Sequence, residues 1–200
     1  VSVIRMSGAN AKAIAEDMCG GLAQSWKFRK CKIKSTDGLV LDSGLVVFFE
    51  SPHSYTGEDV VEFHCHGNPT IVNLIVEDVV KRGAVIAEPG EFTKTAFLND
   101  KIDLAQAESV SDLINAQSKS AVIAANSSLS GNFSSSVDLI IRGLVSTRVM
   151  IEAQIDFPEE EIDSDLLESI SCELSGFSKD IDRLLAEAVK SMRLREGYRV

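Results

Sequence analysis

Glu62 sits in the run Gly57-Glu58-Asp59-Val60-Val61-Glu62-Phe63-His64-Cys65-His66-Gly67. Strand alternation there puts Val60, Glu62 and His64 on one face and Val61, Phe63 and Cys65 on the other. If Val61 and Phe63 face a core, Glu62 and His64 share the opposite side. A carboxylate so placed can accept two N–H donors from a planar heterocycle, because paired charge-assisted bonds fix orientation as well as energy; the alternative is a half-exposed carboxylate at a sheet edge. His64 and His66, two apart on a strand, share a face as zinc ligands would. No further histidine or cysteine stands at metal-site spacing, His53 being the other histidine, and His66-Gly67 reads as a strand-ending turn, so no metal is expected. Arg5 breaks an apolar strand just before Ser7-Gly8, and Lys101 closes Asn99-Asp100-Lys101. Each is ordinarily a solvated charge or a local ion-pair partner. Together at the rim of a pocket they would suit an anionic ligand. Lys27, Arg29, Lys30, Lys32 and Lys34, with Phe28 interleaved, form a basic run that either touches RNA or is the solvated face of a strand.

The 200 residues hold no G-x-x-x-x-G-K-[ST] phosphate loop, no G-x-S-x-G nucleophile elbow and no H-E-x-x-H zinc motif. No catalytic residue is assigned.

The elements that must position these side chains divide into two kinds. Val1 to Met6 reads as a strand, and Ser7 as the N-cap of a short helix over Ala9 to Met18 that ends at Gly20-Gly21. Residues 26 to 49 read as strands, with a turn at Thr36-Asp37-Gly38 and a buried run from Leu45 to Phe49. Asp59 to His64 supplies a further strand. Asn68-Pro69 is an N-cap followed by proline, opening a helix whose Ile71, Leu74, Ile75 and Val79 keep helical spacing until Gly83. Val85 to Ala87 reads as a last short strand before Pro89-Gly90. From about Asp103 the period becomes helical. Ala107, Val110, Ile114 and Ala121 fit one face; Phe133, Val137, Ile140, Leu144, Ile151 and Ile155 continue on a second long helix that ends at Asp156-Phe157-Pro158. After the acidic Glu159-Glu160-Glu161, Leu167, Ile170, Leu174, Phe177, Ile181, Leu184 and Ala188 form a heptad-like stripe that needs partner helices. The expected class is α+β: an α+β domain over residues 1–100, then a long-helix bundle domain over 101–200.

Hydrophobic residues make up 44% and charged residues 25% of the chain, the proportions of a globular fold. No run of about 18 apolar residues is present, so no helix is expected to span a membrane, and a cytoplasmic protein is the default. Cys19, Cys31, Cys65 and Cys172 form no C-x-x-C pair and are expected as reduced thiols. The net charge of −10 is uneven, with ten basic against thirteen acidic residues in 1–100 and ten against seventeen in 101–200. Such a surface repels phosphate backbones, which disfavours non-specific nucleic-acid binding.

Five ordered blocks resemble the tRNA-modification GTPase family called MnmE or TrmE. They are Val3-Ile4-Arg5-Met6-Ser7-Gly8; Ser54-Tyr55-Thr56-Gly57-Glu58-Asp59 with Glu62 and His66-Gly67; Pro89-Gly90-Glu91-Phe92 through Glu108; Ile155-Asp156-Phe157-Pro158 with Glu160-Glu161-Ile162-Asp163; and Leu194-Arg195-Glu196-Gly197. The resemblance implies that residues 1 to about 100 form a domain related to the tetrahydrofolate-binding fold of aminomethyltransferases. That domain would bind 5-formyl-tetrahydrofolate or a related one-carbon folate through Arg5, Glu62 and Lys101, with Glu62 on the pterin. It would also be the homodimer interface. The full protein would hydrolyse GTP with potassium and magnesium at a G domain. With the FAD-containing partner MnmG, also called GidA, it would place an aminomethyl or carboxymethylaminomethyl group on carbon 5 of the tRNA wobble uridine.

The family's opening strand and glycine-rich segment, its phosphate loop and its terminal C-x-G-K motif are not among these residues, so an N-terminal piece is expected, without GTP hydrolysis of its own. Two other readings stay open: a stand-alone folate-dependent enzyme resembling aminomethyltransferases, which needs its own acid or base near the pterin, and a ligand-free dimerisation module. A reading frame continuing into a phosphate loop separates the first, and folate titration the second.

Overall fold

The computed structural model describes residues 1–156 and 164–196, with side chains described over 1–156 and 167–188. The chain divides into two compact units, Val1–Ile102 and Asp103–Val200.

The first unit is built on four antiparallel strands, β1 (Ser2–Ser7), β2 (Arg29–Lys34), β3 (Val40–Phe49) and β4 (Val60–Cys65), in the order β1-β4-β3-β2. β1 and β2 are therefore the sheet edges. One face is covered by α1 (Ala11–Cys19) and α2 (Pro69–Lys81). Alternation sends Ile4 and Met6, Cys31 and Ile33, Val46 and Phe48, and Val61, Phe63 and Cys65 into that core, against Ile14, Met18, Ile75 and Val79 of the helices. The other face carries Val3 and Arg5, Glu62 and His64, and Leu45. Its far end is covered by residues 50–59, where Val47, Val60 and Thr56 are buried.

Local chemistry explains most boundaries. Asn68 accepts the Thr70 N–H and Pro69 occupies the first helical turn of α2, while Gly83, at φ +100°, follows Arg82 at its end. Asp78 of α2 is 3% exposed yet satisfied: one oxygen accepts the N–H and hydroxyl of Thr36 at 2.9 and 2.8 Å, the other the Arg82 Nε at 2.8 Å. That carboxylate ties the β2–β3 turn to the helix layer.

Two expected boundaries move. α1 starts at Ala11 with Asn10 as N-cap, because Ser7 continues β1 opposite Val60 and spends its hydroxyl on Glu58 rather than on a helix end. Residues 84–88 form no strand, and Val85 and Ile86 are 90% and 72% exposed. Their β-branched side chains predict a strand, but no ladder partner lies beside them. α3 (Glu91–Leu98) follows.

The second unit comprises α4 (Leu104–Asn115), α5 (Lys119–Leu129), α6 (Asn132–Asp156) and α7 (Ser164–Glu196). The face expected to run through Ala107, Val110, Ile114 and Ala121 is broken at Ala116-Gln117-Ser118. Ser118 caps a new helix by accepting the Ala121 N–H, so Ala121 belongs to α5, and Ile114 is exposed. Asp103 and Gln106 form a reciprocal capping box at the start of α4. Ile140 and Ile170 are buried; Phe177 and Leu184 are half-buried, and Leu167, Leu174 and Ile181 are exposed. α6 ends at Asp156. The Phe157-Pro158 stop, the Glu159–Glu161 run, the motif through Asp163 and Gly197 lie outside the described residues.

Candidate functional site

Arg5 and Glu62 are direct cross-strand partners on β1 and β4. The Arg5 Nε and Nη2 both donate to Glu62 Oε1, at 2.8 and 2.6 Å. His64, two residues along the same strand face, sets its Nε2 3.1 Å from Glu62 Oε2, so that nitrogen carries the hydrogen that meets the carboxylate. The Glu62 side chain is 14% exposed. An ionised carboxylate offers about four lone-pair positions, two on each oxygen; Arg5 takes both on Oε1 and His64 one on Oε2, which leaves one on Oε2. Aromatic rings border the group: the Arg5 guanidinium carbon stands 5.9 Å from the Tyr55 ring centre and 5.8 Å from that of Phe92. Phe28 meets the His64 ring edge-on at 5.3 Å. Tyr55 and Thr93 join hydroxyls at 2.9 Å, linking the 50–59 segment to α3.

Beside this group, Ser7 donates to Glu58 Oε2 at 2.8 Å and shares a 2.6 Å bond with the buried Thr56 hydroxyl. Lys101 bonds to neither Arg5 nor Glu62. Its Nζ donates to the Pro52 carbonyl at 2.8 Å, and its methylenes lie against Gly57, where an added Cβ would meet them at 3.2–3.3 Å. Asn99 donates to the Thr56 carbonyl at 2.7 Å. Segment 50–59 is thus held by Asn99 and Lys101 on one side and presents Tyr55 to Arg5 on the other. Arg5 and Glu62 are brought together directly, and Lys101 is connected to them through that segment.

The paired-histidine reading does not survive the geometry. His64 turns to Glu62, whereas His66, beyond the end of β4, donates its backbone N–H to Asp42 at 2.9 Å and sets its Nδ1 2.8 Å from the same carboxylate. Burial pushes the Asp42 carboxyl up, but the bonds from the His66 backbone and ring and from the Ser43 N–H outweigh it and hold it below the ordinary aspartate value. A cavity of about 560 Å³ lies on the β1 side, walled by β1, α1, α2, residues 83–87 and α3. Arg5 and Phe92 line it, Glu62 and Lys101 do not.

Arg5, Glu62 and Lys101 stand out in the sequence, whereas Tyr55, Thr56, Glu58 and Phe92 carry no separate signal there. All four stand in blocks that carry the family resemblance, yet no spacing rule places a loop aromatic over a strand arginine.

Residues 1–101 match the family described as GTP-binding protein TrmE N-terminus, and residues 104–199 match the MnmE helical domain. Among curated relatives, the tRNA modification GTPase MnmE of Neisseria meningitidis serogroup B is 45% identical over 202 residues, covering 100% of this chain and 45% of that protein. The proteins of the same name from Neisseria gonorrhoeae and Hydrogenovibrio crunogenus are each 44% identical, covering 100% of the chain and 45% and 44% of their own lengths. The chain therefore spans less than half of the relatives it matches. With both units matched in order and relatives 44–45% identical across the whole chain, the chain belongs to the MnmE family of tRNA modification GTPases.

Proposed function

We propose that the first unit binds a one-carbon tetrahydrofolate, such as 5-formyl-tetrahydrofolate, and that the chain serves as the folate-binding, dimerising and helical part of a tRNA-modification GTPase. The observation that carries this reading is the Glu62 carboxylate, oriented by Arg5 and His64 on an open sheet face beside the Tyr55 and Phe92 rings. Oε2 has one lone-pair position left for an N–H donor of a pterin edge, and a second donor would take the place of His64 or of one Arg5 N–H. The aromatic rings offer flat apolar walls. Lys101 has ammonium hydrogens beyond the one given to Pro52 and supplies positive charge for the carboxylates of a folate tail, while Arg5 stays with Glu62 at the pterin. The one-carbon unit is the chemistry the folate supplies when bound; these residues bind and orient it, and none is assigned a catalytic step.

In the whole protein, on the same proposal, GTP is hydrolysed with potassium and magnesium at a G domain outside these residues. A homodimer formed through the first unit works with the FAD enzyme MnmG on the wobble uridine of tRNA, adding an aminomethyl or carboxymethylaminomethyl group at carbon 5. The 200 residues contain no phosphate loop, so a fluorescent GTP analogue is expected to give no saturable signal with this chain. Saturation reversed by unlabelled GTP would count against that division of labour.

Calorimetric titration of 5-formyl-tetrahydrofolate tests the site. Replacing Glu62 by Gln keeps the shape and removes the charge, and is expected to weaken binding by about 1.5–3 kcal/mol. No heat with the unsubstituted chain would favour the ligand-free dimerisation module, and equal affinity in the variant would remove Glu62 from the site.

A further inference from the structure

Cys19 ends α1 and Cys31 sits on β2, twelve residues later, with their Sγ atoms 3.0 Å apart in the core beneath the sheet. A disulfide bond measures about 2.05 Å, so bonding requires the sulfurs to close by about 1 Å. Cys65 of β4 completes a group of three buried thiols. Cys31 lies opposite Gly44 on β3, and a Cβ added at Gly44 would stand 3.6 Å from the Cys65 Cα. The same Cβ would collide with the His64 carbonyl oxygen, so glycine at 44 lets β3 and β4 approach closely beside the cysteines. Cys172, by contrast, is exposed in the second unit.

We propose that Cys19 and Cys31 form a reversible dithiol–disulfide couple, a modification site separate from the Glu62 group. A hydroperoxide is the oxidant. The Cys31 sulfur attacks the peroxide oxygen, breaking the O–O bond to give a Cys31 sulfenic acid and water or an alcohol. The Cys19 sulfur then attacks the sulfenic sulfur, forming the S–S bond and releasing the hydroxyl group as water with the thiol proton. Two electrons pass from the two thiols to the peroxide, and a dithiol such as dithiothreitol returns them.

Arg29, two residues before Cys31 and bonded to the Gly20 and Gly21 carbonyls beside Cys19, sets a positive charge near the pair. The bond with Cys19 holds the Cys31 thiol below its ordinary value against the opposing effect of burial, helped by the Arg29 charge. The same bond, with burial, pushes Cys19 up. Burial, then Asp42, pushes Cys65 up to about 11, which keeps it a thiol at neutral pH. Access comes from the end of α1: Cys19 precedes Gly20 and Gly21, both at positive φ, and Arg29 holds their carbonyls. Helix ends and glycine loops open at small cost in free energy. The bond would close the segment that carries Trp26 and fasten α1 to β2.

The test uses the whole chain with hydrogen peroxide, followed by alkylation, digestion and mass spectrometry, and a thermal melt before and after dithiothreitol. The expected result is a Cys19–Cys31 linked peptide in the single-chain band of a non-reducing denaturing gel, two of four thiols lost, and a midpoint raised by several degrees that returns on reduction. Cys19→Ser should leave Cys31 as sulfenic or sulfinic acid with no midpoint gain. A linked pair including Cys65, a dimer through Cys172 with Cys19 and Cys31 still alkylated, or no thiol loss below peroxide levels that oxidise Cys172 to the sulfonic acid would each overturn the proposal. Because the linked peptide is read from the unsubstituted chain, the outcome stands even where the serine variant fails to fold.

Discussion

Asp42 holds His66 at the end of β4 and accepts the neighbouring Ser43 N–H at 2.7 Å. Its folded-state pKa lies below the ordinary value of 3.8. A depressed carboxyl adds stability that is present above the unfolded value and is lost as pH falls through the folded one. Asp42→Asn is therefore expected to destabilise the chain at pH 7 and to matter progressively less as pH drops below about 3.8, which urea titrations of both proteins at pH 7 and pH 3 would measure. An equal gap at the two pH values would contradict the assignment. Asp78 is a different case, because its bonds to Thr36 and Arg82 are buried. Asp78→Ala leaves the Thr36 donors unpaired and the Arg82 guanidinium with Asp17 as its remaining partner, and a loss of about 1–3 kcal/mol is expected in the same titration. A loss below about 0.5 kcal/mol would show the turn re-pairing with water.

Between α6 and α7 the close approach is made by Gly143. A Cβ added there would collide with the Phe177 ring. One turn further along α6, the buried Thr147 hydroxyl donates to its own helix at Gly143 and lies 2.9 Å from Glu173 of α7. Alanine gains about 1 kcal/mol of helix propensity over glycine, but displacing a packed ring costs about 1–3 kcal/mol. Gly143→Ala should therefore lower stability, and Phe177→Leu should relieve part of the loss in a double-mutant cycle; additive effects would mean that the two residues do not touch. This contact was invisible in the sequence. A glycine in a helix reads as a weakness, and only the partner helix gives it a reason. What was legible had local causes: Asn68-Pro69 at the start of α2, Gly83 after its end, the Thr36–Gly38 turn, and the alternation that put Glu62 and His64 together. Arg5 and Lys101 were legible as residues, whereas the partners Glu62 and Pro52 follow from strand register and loop path. Val85 to Ala87 misled because β propensity records a fit to a neighbouring strand, and none lies beside them.

Each unit carries a different expectation for assembly. Light scattering on residues 1–102 and on residues 103–200 separates them: the first is expected to be dimeric, and the second monomeric, aggregated or poorly folded, since Leu167, Leu174 and Ile181 are exposed along α7. A monomeric first piece with a well-folded dimeric second piece would move the interface into the helices. The first unit also has two unlike sheet edges. Lys30, Lys32 and Lys34 stand exposed at alternate positions of β2, and among the described residues no ion pair engages them. A neighbouring strand approaching β2 must crowd three ammonium groups, a device that keeps sheets from stitching together edge to edge. β1 has no lysine; its one cation, Arg5, is already paired with Glu62. The two edges of the sheet thus differ in charge: β2 presents a row of ammonium groups free of ion pairs among the described residues, and β1 presents one guanidinium already neutralised by Glu62.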